Sequence, residues 1–214
     1  MKLYLKQIEL GPLQNFVYLI GCLETRETAI VDPAWNVPKI LEIAQADEMR
    51  VTAAIITHTH FDHVNGIQDL LKATDARVIV HKKEAAALPV EKSNLQPVEG
   101  NQEIAIGNLT LTFLHTPGHT PGSQCIRVAD RLIAGDTLFV GGCGRCDLPG
   151  GDPEALYKSL ARLRTLDDGI TLHPGHNYAP KPTSTLQEEK GRNPFLRAES
   201  QEQFFSLVGV VRKS

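Results

Sequence analysis

Hydrophobic positions along the chain switch between two periods. Lys2–Glu9 and Asn15–Gly21 read as strands, and Thr28–Asp32 is a third that stops at Pro33. Val37, Ile40, Leu41 and Ala44 recur at helical spacing, which predicts a helix over Val37–Met49. A buried strand is expected over Val51–Thr57, a helix near Val64–Ala73, a strand over Arg77–His81 and a short helix over Lys82–Leu88. The second half repeats the theme, with strands at Leu109–His115, Gln124–Val128 and Arg131–Ala134. A helix over Pro153–Leu166 follows, with Asp152 as its N-cap and Pro153 in the first helical position. Ile170–Leu172 is a short strand, and Gln187–Lys190 and Gln201–Val208 read as helices parted by Asn193–Pro194. This order predicts a mixed α/β domain of stacked layers, with residues 183–214 as a short C-terminal helical cap.

Composition narrows the function classes. A chain of 214 residues fits one domain, 1–214, and 42% hydrophobic with 22% charged residues suffices for a full core. Lys and Arg number 22 against 25 Asp and Glu, a net charge of −3, so nucleic acid is not expected as a partner. No apolar run reaches the roughly 20 residues that span a bilayer, so no membrane partner is expected. The opening MKLYLKQIELGPLQ lacks the apolar core of a signal peptide, which makes a cytoplasmic location the expectation. Four cysteines do not make a disulfide framework. Cys143-x-x-Cys146 has no second pair and reads as packed or loop thiols rather than a zinc knuckle.

Histidine is the unusual residue, with eight copies bunched around Pro and Gly. AAIIT runs into His58-Thr-His60-Phe-Asp62-His63, LTLTFLH into Thr116-Pro-Gly-His119, RLIAG into Asp136, and GITLHPG into His176. Each polar group follows an apolar strand, and in α/β sheets such strand ends collect at one edge, where ligands bind. His58 and His60 are two apart, so in an extended segment they leave the same side; Asp62 and His63 lie on the turn beyond. One metal ion would be held by His58, His60 and His119, and a second by Asp62, His63 and His176, with Asp136 as the bridge. Imidazole and carboxylate donors suit zinc, iron or manganese. Two such ions about 3.5–4 Å apart share a water and make it a hydroxide nucleophile near neutral pH. His81, His115 and His173 match no ligand position and read as structural or outer-shell groups. Trp35 and Phe204–Phe205 read as packing residues, and Gly118, Gly135 and Gly175 as tight turns beside the ions.

The His58-x-His60-x-Asp62-His63 motif with His119, Asp136 and His176 resembles the metallo-β-lactamase superfamily over nearly the whole chain. THTHFDH, TPGHTPGS, AGDTLF, PGHNY and STLQEEKGRNPFL look like its glyoxalase II branch. The resemblance implies a four-layered αββα sandwich with a short C-terminal helical segment. It also implies hydrolysis of a hydroxyacylglutathione-type thioester by a metal-bound hydroxide, with Asp62 and Asp136 as the catalytic carboxylates. The alternative it carries is a persulfide dioxygenase, in which one Fe(II) held by His58, His119 and Asp136 oxidises glutathione persulfide to sulfite. The loop GGCGRCDLPGG is closer to the dioxygenase loop, with Arg145 and Asp147 where glyoxalase II has Lys and Tyr. Tyr178 matches a tyrosine that contacts glutathione, so Arg145 and Tyr178 are the expected substrate-binding residues, against an internal Arg145–Asp147 ion pair that only shapes the loop. The tail is shorter than the basic helical domain of glyoxalase II. A small-molecule thiol conjugate of glutathione type is the expected partner, with a homodimer as one permitted assembly. A non-catalytic metal-binding scaffold would require a damaged site, and no ligand is missing.

Overall fold

The structure is a computed structural model that describes residues 2–209. The first sheet contains, in spatial order, β1 (Leu3–Leu10), β2 (Asn15–Cys22), β3 (Glu27–Val31), β4 (Arg50–Ile56), β5 (Arg77–His81) and β6 (Leu95–Val98). Next in the chain come β7 (Gln102–Ile106), β8 (Leu109–His115), β9 (Gln124–Val128) and β10 (Arg131–Gly135). A small ribbon of β11 (Leu138–Phe139) and β12 (Gly142–Cys143) follows, then β13 (Thr171–Pro174) and β14 (Ser184–Thr185). The second sheet runs β14-β13-β10-β9-β8-β7.

Parallel neighbours need a crossover, and helices supply it for all but β5–β6, which are joined by a loop with one 3₁₀ turn. Between β3 and β4 lies α1 (Val37–Ala46), while α2 (Phe61–Val64) and α3 (Ile67–Ala73) lie between β4 and β5. The β10–β13 pair is bridged by α4 (Pro153–Arg164), and α5 (Leu186–Arg192) and α6 (Gln201–Leu207) complete the outer cover. Caps fix the starts: Asn36 accepts from Lys39 N at 3.1 Å, and Asp152 accepts from Ala155 N at 2.9 Å.

Alternation along each strand builds the layers. Phe16, Tyr18 and Ile20 of β2 face inward to meet Leu111 and Phe113 of β8 and Ile126 of β9 in a core between the sheets. Val17 and Leu19 face the other way, onto Ile40 of α1 and Leu70 of α3. Across the molecule, Leu132 and Leu172 pack outward against Leu156 and Leu160 of α4 and Phe204 of α6. The order is therefore helix, sheet, sheet, helix, the expected αββα sandwich.

Several local expectations change. The helix expected near Val64–Ala73 is two pieces, because Gly66 closes against α1 where its N–H donates to Pro33 O at 3.1 Å. α1 stops at Ala46 rather than Met49, where Glu48 takes φ 57°. The segment over Lys82–Leu88 has only a 3₁₀ turn at Ala85–Ala87. Within the C-terminal segment, β14 pairs with β13, and Leu186, Phe204 and Phe205 share the α4 core. The last five positions of that segment, 210–214, lie outside the described residues.

Candidate metal centre

Five strands end at one edge and deliver the polar groups there. His58 follows β4, the turn after β8 carries His119, Asp136 follows β10, and Gly175–His176 follows β13. Asp32 follows β3, and Asn15 opens β2. The local chain is shaped to let these loops touch. Gly135 adopts φ 48°, and a Cβ there would sit 2.5 Å from Thr57 Oγ1. A Cβ at Gly175 would sit 2.2 Å from Asp136 Oδ1, so that glycine leaves room for the carboxylate rather than making a left-handed turn.

Two triads assemble: His58, His60 and His119, and Asp62, His63 and His176. Their facing nitrogens are close, with His58 Nε2 3.3 Å from His119 Nε2 and His63 Nε2 3.1 Å from His176 Nε2. Asp136 stands between the triads. Its Oδ2 is 3.6 Å from His119 Nε2 and 3.3 Å from His176 Nε2, and its Oδ1 is 3.4 Å from His63 Nε2. The carboxylate is buried, and Oδ1 has no hydrogen-bond donor among the described residues.

Partners behind the rings fix which nitrogen is free. His119 Nδ1 donates to Arg145 O at 2.7 Å, and His176 Nδ1 donates to Leu13 O at 2.8 Å. His63 Nδ1 lies 3.0 Å from Asp32 Oδ2, and His58 Nδ1 lies 3.0 Å from Thr57 Oγ1. Thr57 in turn donates to both Asp32 oxygens, from N at 2.7 Å and from Oγ1 at 2.6 Å. With the proton on Nδ1 in all four rings, four Nε2 lone pairs converge with the Asp136 anion. Lone pairs at such spacing repel one another unless a cation draws them together, so the donor set fits divalent metal ions.

The electrostatics divide the rings. Burial, joined by the neighbouring histidines, pushes the His58 imidazole well below its ordinary range, and burial also lowers His60. Burial opposes a charge on His63 too, but Asp136, Asp32 and Asp62 together lift it to about 9. Burial likewise disfavours an ionised Asp136, yet the imidazoles of His63, His176 and His58 around it hold it far below the usual carboxylate range.

Two orienting residues were not singled out from sequence. Asp32 is a lone acid in a strand-end VDP and becomes informative only once β3 and β4 pair in parallel. Asn15 donates from Nδ2 to Asp62 Oδ2 at 2.9 Å and to Asp62 O at 3.1 Å, and it accepts from Trp35 Nε1 at 2.8 Å. Trp35 is thus no simple core residue. Tyr178 lies flat against His176, with centroids 4.6 Å apart and planes 8° apart. Arg145 pairs with Asp147 through two nitrogens, at 2.9 and 2.8 Å, both side chains more than half exposed. His81 and His115 stack on each other with ring centroids 4.0 Å apart, and His173 packs edge-on to Tyr18.

Sandwich and donor set together define an α/β domain with a candidate metal centre at one sheet edge. The chain belongs to the metallo-β-lactamase superfamily, whose family model matches residues 10–176. It is 31% identical to the probable polyketide biosynthesis zinc-dependent hydrolase PksB of Bacillus subtilis, over 89% of this chain and 85% of that protein. It is 34% identical to a hydroxyacylglutathione hydrolase of Anaeromyxobacter dehalogenans, over 87% of this chain and 83% of the relative. To the mitochondrial persulfide dioxygenase ETHE1 of Homo sapiens it is 30% identical, over 91% and 76%. Among solved structures, ETHE1 from Myxococcus xanthus superposes with a TM-score of 0.89 at 31% identity, covering 99% of this chain and 92% of that one. TTHA1623 in a di-iron-bound form gives 0.77 at 34% identity, over 89% and 99%. These relatives and the His/Asp clusters support divalent metal binding by a metal-dependent hydrolase or oxidase. No helix among the described residues is long and apolar enough to cross a membrane.

Proposed function

We propose that the protein is a thioester hydrolase acting on a small-molecule thiol conjugate of the hydroxyacylglutathione type. The observation that carries this is Asp136, whose two oxygens reach toward both triads at 3.3–3.6 Å. A carboxylate shared by two adjoining donor sets suits a two-ion centre, with His58, His60 and His119 holding one ion and Asp62, His63 and His176 the other. Ions held there would lower the pKa of water toward 7 and polarise the thioester carbonyl.

The remaining work falls to the chain. Asp32, Thr57, Arg145 O and Leu13 O orient four imidazoles before substrate arrives, which supplies electrostatic preorganisation. Asp62, partly exposed and steered by Asn15, is the carboxylate placed to take a proton from the attacking water. Hydrolysis adds water across the C–S bond and leaves a carboxylic acid and a thiol. Tyr178 and Arg145 are the proposed substrate contacts at the mouth, Arg145 only after leaving Asp147.

Thiol release from acyl thioesters by protein loaded with zinc, iron or manganese tests this, with His58→Ala and Asp136→Ala as controls that lose both rate and metal. Wild-type rates in Asp136→Ala contradict it. The similarity to persulfide dioxygenases favours a second reading, one Fe(II) held by His58, His119 and Asp136. Enzyme-dependent oxygen uptake with glutathione persulfide would put that reading first.

A further inference from the structure

The STLQEEKGRNPFL stretch holds two fully buried polar side chains, Glu189 and Asn193, that belong to neither triad. Glu189 lies in α5 and Asn193 caps its C-terminus four residues on, so both leave the same helix face. That face meets the β11–β12 hairpin. Glu189 Oε2 accepts from Gly141 N, in the hairpin turn, at 2.8 Å. Asn193 Nδ2 donates to Phe139 O at 3.2 Å, to Gly142 O at 3.0 Å and to Glu189 Oε2 at 2.9 Å. Its Oδ1 accepts from Phe195 N at 3.1 Å and Leu196 N at 3.3 Å, which fixes the amide's orientation. Glu189 Oε1 has no hydrogen-bond donor among the described residues, with Arg192 Nη2 4.0 Å away. A buried carboxylate with one oxygen unmet costs stability, and such a group points to a task beyond packing.

The hairpin is the chain between two metal-ligand segments. β11 begins two residues after Asp136. The chain returns through β12 to Gly144, where a Cβ would collide with Asp136 O and sit 3.1 Å from His119 Nδ1. The next residue, Arg145, supplies the carbonyl that orients His119. On the first strand, the Phe139 ring meets His176 edge to face with centroids 5.9 Å apart. The hairpin thus borders a ligand of each triad and the carboxylate between them. It pairs through only two residues per strand, too few to hold its shape unaided.

We propose that Glu189 and Asn193 are positioning residues that clamp this hairpin, so that the Arg145 carbonyl and the Phe139 ring hold His119 and His176 in register with Asp136. The proposal rests on the donor set, whichever reaction the centre performs, so its test reads metal binding rather than turnover.

Asn193→Asp keeps the volume and the acceptor for Phe195 N and Leu196 N, but turns an oxygen toward two hairpin carbonyls and the Glu189 carboxylate. Glu189→Gln keeps an acceptor for Gly141 N. Ile106→Ala, in the inter-sheet core on β7 at the far edge of the second sheet, shows what lost stability alone does. Zn(II) affinity is measured by chelator competition well below each Tm, beside amide hydrogen exchange at Gly141. Asn193→Asp should bind Zn(II) about tenfold more weakly or worse, and its Gly141 amide should exchange faster than in the wild type. Glu189→Gln should match the wild type in both, and Ile106→Ala should keep wild-type affinity. Wild-type affinity in folded Asn193→Asp, or weaker binding with Gly141 still protected, overturns the proposal. So does an equal loss in Ile106→Ala, which assigns the effect to stability, or in Glu189→Gln, which assigns it to charge. Where Asn193→Asp does not fold, Glu189→Ala replaces it under the same criteria, since it removes the Gly141 acceptor and leaves Asn193 on both hairpin carbonyls. No Zn(II) uptake by the wild type would contradict the metal centre and the proposal together, whereas the other outcomes leave the thioesterase reading standing.

Discussion

Asp32 Oδ2 lies 3.0 Å from His63 Nδ1, and both side chains are buried. The contact fixes the ring's tautomer, so that Nε2 points at Asp136 and His176. It also explains why an acid outside both triads matters to them.

Asp32→Asn removes the anion and turns an NH₂ toward a group that already donates, either Thr57 or His63. Metal affinity is expected to fall about 10- to 100-fold, the usual cost of losing such an outer partner. Metal titration against a competing chelator, with circular dichroism confirming the fold, checks it. Wild-type affinity would mean that His63 is oriented by other contacts.

Gly175→Ala places a methyl group where Asp136 Oδ1 stands, at 2.2 Å. Either the β13 loop or the carboxylate must move. A displacement near 1 Å at a reacting centre costs about 100-fold in rate, so both activity and metal content should drop. Full metal content in this variant would show that Asp136 is not held against Gly175.

Arg145→Ala separates side chain from backbone. His119 is oriented by the Arg145 carbonyl, which alanine keeps, whereas the guanidinium only meets Asp147 in solvent. Metal content should be unchanged, and stability should move by less than about 1 kcal/mol. Any effect should appear in KM.

Much of this centre is legible in the chain because metal ligands announce themselves locally. His58 to His63 fall within six residues, and His119, Asp136 and His176 each end an apolar run. The αββα layering came from family resemblance, while alternation along Phe16–Ile20 supplies its physical basis. Other parts have no local signature. β6 and β7 are only four and five residues long, too short for alternation in Leu95–Val98 and Gln102–Ile106 to single out a strand. The two-residue strands β11 and β12 exist only through their pairing. Asn15 and Asp32 are ordinary strand-end residues until tertiary contacts bring them to Asp62 and His63.

His173 supplies a pH signature of stability. Burial, then the nearby Arg131, push its imidazole down to about 4 from 6.5, and neither ring nitrogen has a hydrogen-bond partner among the described residues. The folded ring stays neutral while the unfolded one takes up a proton below 6.5. Its share of stability is therefore complete above pH 6.5 and is lost as pH falls toward 4, by roughly 2 kcal/mol at pH 5. His173→Phe, packed edge-on to Tyr18 in the same place, should flatten Tm between pH 7 and 5. An unchanged slope would assign the acid sensitivity to other groups, His81 among them.

Hydrolysis needs no oxygen, whereas persulfide oxidation cannot proceed without it. The most direct test of a shared two-ion hydrolytic centre is thiol release from an acyl thioester by metal-loaded protein under strict anaerobiosis. Equal rates with and without air, both lost in Asp136→Ala, are the predicted result. No thiol release in either condition, with glutathione persulfide consumed only when oxygen is admitted, would contradict it.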